Sequence, residues 1–314
     1  MEPIRRAVID VGTNSVKLLV ADVRGNEVRP VCEQSKQTRL GHGFYDTRTL
    51  RPEAIAATVA AVAAFGNEAR EAQAVSVRVI ATSAAREAVN CGELAAGIQQ
   101  VAGLKVEVIS GEQEAEWGFR GVTTDPQLAR MTLLLMDVGG GSAQFTFGGK
   151  GRELVRNSVP LGAVRLLEKF PCSDPPKPAE LITCCQWLKA FLQQEVRPKL
   201  LPRWKDNSPG SSDAVQLVGV GGAATILACM EARLETYDRA RIEATRLTAT
   251  RVLWHLERLW SLPLEQRKQT IGLPKNRADI ILTGAAIYQA VMEEFGFREL
   301  RVSTRGLRFA AVMG

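Results

Sequence analysis

One pattern occurs twice, 127 residues apart, and it limits the fold more than any other feature. The first copy is Ala7-Val8-Ile9-Asp10-Val11-Gly12-Thr13-Asn14-Ser15, followed by Val16-Lys17-Leu18-Leu19-Val20. The second is Leu133-Leu134-Leu135-Met136-Asp137-Val138-Gly139-Gly140-Gly141-Ser142, followed by Ala143-Gln144-Phe145-Thr146-Phe147. Each reads as a buried strand, a tight turn and a second strand. Glycine lacks a Cβ, so the backbone N–H groups of such a turn can close around an anion. An aspartate at the strand exit is placed to hold a hydrated cation against that anion. A repeat at this distance is a domain duplication, not a short solenoid period.

The chain has 314 residues, enough for two domains with their own cores. The sequence divides best at Thr123-Thr124-Asp125-Pro126, giving domains 1–125 and 126–314. A net charge of +6 suits an anionic ligand as well as it suits an ordinary basic protein. No segment has the apolar length of a membrane span, and Met1-Glu2-Pro3-Ile4-Arg5-Arg6 runs into a strand without a signal-like apolar stretch. These features place the expected protein in the cytoplasm, with no membrane or nucleic-acid partner. Six cysteines without a C-x-x-C spacing read as reduced structural thiols. Only two histidines are present, His42 and His255, which excludes a histidine-rich metal site and leaves carboxylates as candidate hydrolytic bases.

Residues 4–37 predict three antiparallel strands, then a loop at Thr38-Arg39-Leu40-Gly41-His42-Gly43. An alanine-rich helix follows from Pro52 to Ala72, and a strand from Val75 to Ala81 that ends in Thr82-Ser83. Ser110-Gly111-Glu112-Gln113 fits a helix cap. The helix it opens puts Glu114, Gly118 and Gly121 on one face, where glycines imply close backbone approach. In the second half, strands are expected near 131–137, 142–149 and 151–159, a helix near 179–197, and a polar loop over 202–213. Val215 to Thr225 predicts strand, glycine turn and helix, with Gly221 and Gly222 at a helix N-terminus that favours phosphate. Residues 245–261 and 276–295 read as helices, Leu300 to Ser303 as a last strand, and Gly306-Leu307-Arg308 as the start of a terminal helix.

The paired glycine turns resemble those of the actin, hexokinase and Hsp70 superfamily. Further motifs narrow the resemblance. Ala81-Thr82-Ser83-Ala84-Ala85-Arg86-Glu87 and Ser110-Gly111-Glu112-Gln113-Glu114-Ala115-Glu116 are similar to motifs of the exopolyphosphatase / guanosine pentaphosphate phosphohydrolase family. So are Thr38 to Gly41, Gly219 to Gly222, Asn276 to Ile280 and Val302 to Arg308, in order along the whole chain. The resemblance implies an α/β protein with two duplicated ribonuclease-H-like (actin-like ATPase) domains flanking an interdomain cleft. It also implies hydrolysis of a terminal phosphate, with Mg2+, from inorganic polyphosphate or guanosine pentaphosphate. The chain resembles the short family form without the C-terminal helical extension, so shorter polyphosphate chains are the expected substrate. No heptad is long enough to argue for a homodimer, which is left open.

The expected roles follow from in-line attack of water on a phosphoryl group, which needs the anion held, its charge neutralised and the water positioned. Gly12, Thr13, Asn14 and Ser15, with Gly139, Gly140, Gly141 and Ser142, are expected phosphate donors, as are Gly221 and Gly222. Arg86 has the planar fork that suits phosphate, against the plain alternative of a solvated helix residue. Arg39 reads equally as a polyanion contact or as a surface loop residue. Glu114 is the expected general base, as the resemblance also implies. Asp10 and Asp137 are expected on the metal, the alternative being turn capping. One position departs from the pattern: the family places a glutamate two residues after the second serine, and here it is Gln144. An amide neither accepts a proton at neutral pH nor neutralises a cation. Slower turnover, a different metal arrangement, or a binding protein for polyphosphate or a guanosine alarmone are the readings this opens. A kinase of the same superfamily fits Glu114 and Arg86 less well.

Overall fold

The computed structural model describes residues 2–207 and 215–314. It divides into two compact units, residues 1–125 with 305–314, and residues 126–304.

The first unit begins with β1 (Ile4–Val11), β2 (Ser15–Arg24) and β3 (Glu27–Gln37), followed by α1 (Pro52–Glu71), β4 (Val77–Ala81) and α2 (Ser83–Glu87). Then come α3 (Cys91–Ala102), β5 (Val106–Val108) and α4 (Gly111–Val122). Its sheet runs β3-β2-β1-β4-β5, antiparallel through the first three strands and parallel from β1 to β5. Alternation divides β1 between two cores. Ala7, Ile9 and Val11 pack with α1 and α3, while Val8 faces Trp117 of α4. Both faces are covered, which is why β1 and β2 read as continuous apolar runs.

The second unit holds β6 (Thr132–Val138), β7 (Ala143–Gly149), β8 (Arg152–Val159), α5 (Ala163–Lys169), α6 (Pro178–Phe191) and α7 (Arg197–Asn207). It continues with β9 (Gln216–Val220), α8 (Gly221–Glu231), α9 (Arg239–Ala244), β10 (Arg246–Thr248) and α10 (Ala249–Ser261). The turn α11 (Leu264–Arg267), α12 (Ile281–Phe295) and β11 (Glu299–Val302) complete it. Its sheet order is β8-β7-β6-β9-β11, with β10 added antiparallel at the β11 edge. Pairing directions repeat those of the first unit strand for strand. The duplication expected from the repeated motif is therefore a duplication of sheet topology.

Three regions differ from the sequence reading. The chain's last helix, α13 (Leu307–Ala311), lies with the first unit, although the sequence division carried residues 305–314 with the second. Leu307, Phe309 and Val312 fill the core face shared with Val8, Leu19, Ile80 and Trp117, which no local pattern announces. Second, the loop expected over 202–213 is helical to Asn207, and residues 208–214 lie outside the described residues. Cys184, Leu188, Leu192, Val196 and Leu200 are all fully buried at four-residue spacing, and this seam carries the helix on. The helix widens to a π-helical stretch at Leu192–Val196, just before Pro198, whose missing N–H interrupts the α ladder. Third, the helix expected over 245–261 begins only at Ala249, because Arg246–Thr248 pair antiparallel with β11 as β10.

Candidate active site

Each unit builds its glycine turn in the same way. In the first, the Gly12 N–H donates to the Ser15 carbonyl at 3.0 Å. In the second, the Gly139 N–H donates to the Ser142 carbonyl at 3.0 Å. These two N–H groups, expected to serve a phosphate, are spent in closing the turns. A Cβ at either glycine would stand 3.1 Å from the same carbonyl oxygen, so the closure also selects for glycine.

The remaining peptides are held from behind. Thr13 accepts from the Gly41 N–H at 2.7 Å, and Asn14 accepts from the N–H groups of Thr38 and Arg39. In the second unit Gly139 accepts from Ala163, Gly140 accepts from Val164 and Arg165, and the Arg165 Nε donates to Gly141 at 2.7 Å. A trans peptide points its N–H opposite to its C=O. Tying the carbonyls of Gly139, Gly140 and Gly141 to residues 163–165 therefore turns the N–H groups of Gly140, Gly141 and Ser142 to the other side. Among the described residues no acceptor takes these three. The same argument, from the tied Thr13 carbonyl, turns out the Asn14 N–H. Such a row of N–H groups is an anion nest.

The loop Thr38 to Gly41 thus acts through its backbone. Arg39 holds a left-handed φ of 52° and an exposed position, with its N–H on Asn14. The counterpart in the second unit is Leu161-Gly162, which the sequence reading missed. A Cβ at Gly41 would lie 2.3 Å from the Thr13 Cγ2, and one at Gly162 would lie 2.4 Å from the Gly140 carbonyl. The shared Leu-Gly pair, Leu40-Gly41 and Leu161-Gly162, was the signal available. Arg165 was also missed.

Glu114 is buried on α4, 6% exposed, while Glu112 is exposed and Glu116 half-buried. The helix starts where predicted, with Ser110 Oγ accepting from the Gln113 N–H. Trp117, Gly118 and Gly121 share the buried face with Glu114. Arg86, at the end of α2, donates from Nη1 to the Glu114 Oε2 at 3.2 Å and to the Ile109 carbonyl at 2.9 Å. Its Nη2 and Nε take no protein acceptor among the described residues, so the fork keeps donors for an oxyanion.

Asp10, the last residue but one of β1, lies on the face covered by α4 and α13. Its Oδ1 is buried with no hydrogen-bond partner. Burial raises its pKa, against the charges of Lys17 and Arg308, which pull it back. Lys17 sits directly across the β1–β2 ladder from Asp10, a role the sequence reading did not assign. In the second unit Asp137 faces Gln144 across β6–β7. A Cβ on Gly221 would lie 2.7 Å from the Asp137 Oδ1, and Gly221 has a φ of +88°, so glycine is required twice over. A Cβ on Gly222 would meet nothing.

Among the described residues no three acidic, histidine or cysteine side chains group as a metal cage. Mg2+ does not need one, because it commonly takes one or two carboxylates, waters and substrate phosphate. A buried, partnerless carboxylate oxygen at Asp10 and the side-chain-free cradle beside Asp137 fit such an ion.

A family model described as the Ppx/GppA phosphatase family matches residues 19–313. The chain belongs to the Ppx/GppA phosphatase family. Ppx/GppA membership makes it a catalytic protein of the phosphatase class, with the two-domain actin-like α/β architecture seen above. It is 33% identical to Exopolyphosphatase 2 of Mycobacterium tuberculosis, over 95% of this chain and 94% of that protein. It also matches the solved Aquifex aeolicus PPX-GPPA enzyme at a TM-score of 0.79 and 28% identity, covering 99% of both chains. An exopolyphosphatase from Cytophaga hutchinsonii aligns at a TM-score of 0.84 and 25% identity, over 98% of this chain and 96% of that one. No helix among the described residues is long and apolar enough to cross a membrane.

Proposed function

We propose that this protein is an exopolyphosphatase, removing the terminal phosphate of inorganic polyphosphate as orthophosphate. The observation that carries this reading is the buried Glu114 held by Arg86, whose guanidinium keeps free donors. The outward N–H groups of the two turns add supports for a phosphate chain. The names of the relatives above agree with the same substrate.

Glu114 accepts a proton from the attacking water as the water oxygen approaches the terminal phosphorus. Arg86 orients the carboxylate through Nη1 and offers Nη2 and Nε to the phosphoryl oxygens. The bond to the bridging oxygen breaks, and the shortened chain leaves as an anion. Donors from Thr13, Asn14 and Ser15, and from Gly140, Gly141 and Ser142, hold phosphate oxygens, with Gly221 and Gly222 adding N–H groups at the start of α8. Asp10 and Asp137 are the residues that would hold Mg2+, which when bound neutralises phosphate charge. Fixed donors aimed at developing charge are the main source of rate in such a site.

The test is orthophosphate release from short polyphosphate, long polyphosphate and guanosine pentaphosphate, with Mg2+. Release from polyphosphate that Glu114→Gln abolishes supports the reading. Release confined to guanosine pentaphosphate assigns the nucleotide instead, and tight binding with no release from any substrate sinks the enzyme assignment.

A further inference from the structure

Gln144 sits between two ladders, opposite Asp137 on β6 and opposite Ser158 on β8. It is 2% exposed. Its Nε2 donates to the Ser142 Oγ at 3.0 Å and to the Ser158 Oγ at 3.2 Å. Both amide hydrogens are thereby spent on hydroxyl oxygens. A hydroxyl whose oxygen accepts from Nε2 sends its own proton elsewhere. Ser142 closes the turn whose N–H groups at Gly140, Gly141 and Ser142 itself face away from residues 163–165.

A carboxylate at residue 144 would do the reverse. Being acceptor-only, it would draw the Ser142 proton inward and set a second negative charge across the ladder from Asp137. The first unit avoids a second negative charge at the same register position by another means, with Lys17 opposite Asp10. The Gln144 Oε1 is buried without a hydrogen-bond partner. It is left as an acceptor for a water or for a protonated phosphate oxygen.

We infer that Gln144 makes the second glycine turn a phosphate grip that works without a cation, by turning the Ser142 hydroxyl into a donor and keeping charge off the position facing Asp137. The ligand class, a phosphoryl anion, rests on the function proposed above. The grip itself follows from the turn and the amide.

The experiment measures binding, not turnover. Orthophosphate is titrated into the full-length protein by calorimetry at pH 8, once in EDTA and once in Mg2+. Wild type is expected to bind in EDTA, and Mg2+ to tighten that binding without being required for it. Gln144→Glu is expected to lose about tenfold or more in EDTA and to recover in Mg2+. Ser142→Ala is expected to weaken EDTA binding, which places the anion on this turn. Gln144→Met removes the amide without adding charge, and is expected to weaken EDTA binding severalfold even if the glutamate variant fails to fold. Wild-type binding that needs Mg2+, or EDTA binding unchanged in Ser142→Ala, overturns the inference. Cation-free binding without hydrolysis of any polyphosphate would leave the grip standing and remove the exopolyphosphatase reading. Hydrolysis without cation-free binding would do the opposite.

Discussion

A Cβ placed on Gly121 would stand 2.2 Å from the carbonyl oxygen of Gly306. The helix that carries Glu114 therefore rests on the backbone of the segment leading into α13. The atoms in the way are main-chain atoms of Gly306 and Arg305, which no rotamer change can move. Gly121→Ala must push α4 away from α13, and α4 positions Glu114. The variant is expected to lose about 1–3 kcal/mol of stability, the usual cost of overpacking. Its kcat should fall while KM changes little. Denaturant unfolding and steady-state kinetics check both, and a variant with wild-type stability would show that the contact is slack.

Arg86 and Glu114 separate stability from catalysis. Glu114→Gln keeps a polar partner for Arg86 but removes the proton acceptor. Its kcat is expected to drop by about 10²–10⁴-fold, the range for loss of a general base, with unfolding nearly unchanged. Arg86→Ala leaves Glu114 buried without its ion pair. That change is expected to cost about 1–3 kcal/mol, the range for taking a hydrogen-bond donor away from a buried acceptor. If Arg86→Ala unfolds at the wild-type denaturant concentration, the pair does not support the fold.

The two turns predict unequal lesions at equivalent glycines. At Gly41 the added methyl meets the Thr13 Cγ2, a side-chain atom that can shift. At Gly162 it meets the carbonyl carbon and oxygen of Gly140 and the nitrogen of Gly141, all backbone. Gly162→Ala should therefore lower the melting temperature more than Gly41→Ala, and should weaken phosphate binding with it. Equal shifts in a thermal melt would contradict the assigned contacts.

What the sequence revealed follows from how far each signal acts. The turns at Gly12 and Gly139 were legible because strand, aspartate, glycine and serine are adjacent in the chain. Helix α4 was legible from its cap at Ser110 and the period of Glu114, Gly118 and Gly121. The ties behind the turns were not, since Gly41 and Gly162 meet their partners only after the strands have paired. Arg165 looks like any helix arginine until its Nε is seen on Gly141. The placement of α13 was hidden for the same reason. Leu307 and Phe309 are apolar residues whose partners, Val8 and Ile80, lie far away in sequence. Pro202 misled because proline argues against a helix interior, whereas the buried seam ending at Leu200 outweighs it here.

Asp10 offers a test of whether its carboxylate serves the fold or a ligand. Burial holds its pKa above the ordinary carboxylate range. The folded protein therefore keeps a proton on Asp10 at pH values where the unfolded chain has released it. Stability from this group is complete below the ordinary carboxylate range and is lost as pH rises towards the raised folded value. At neutral pH, where the unfolded chain's aspartate is ionised, the buried carboxyl with its partnerless oxygen is a cost, so Asp10→Asn is expected to melt at a higher temperature than wild type. The difference should vanish as pH falls to where the carboxyl is protonated in both states. Added Mg2+ should raise the wild-type melting temperature and leave Asp10→Asn nearly unmoved, because only the carboxylate gains from the cation. A carboxylate that merely capped the turn would give the opposite sign, with Asp10→Asn less stable at neutral pH and Mg2+ without effect on either protein.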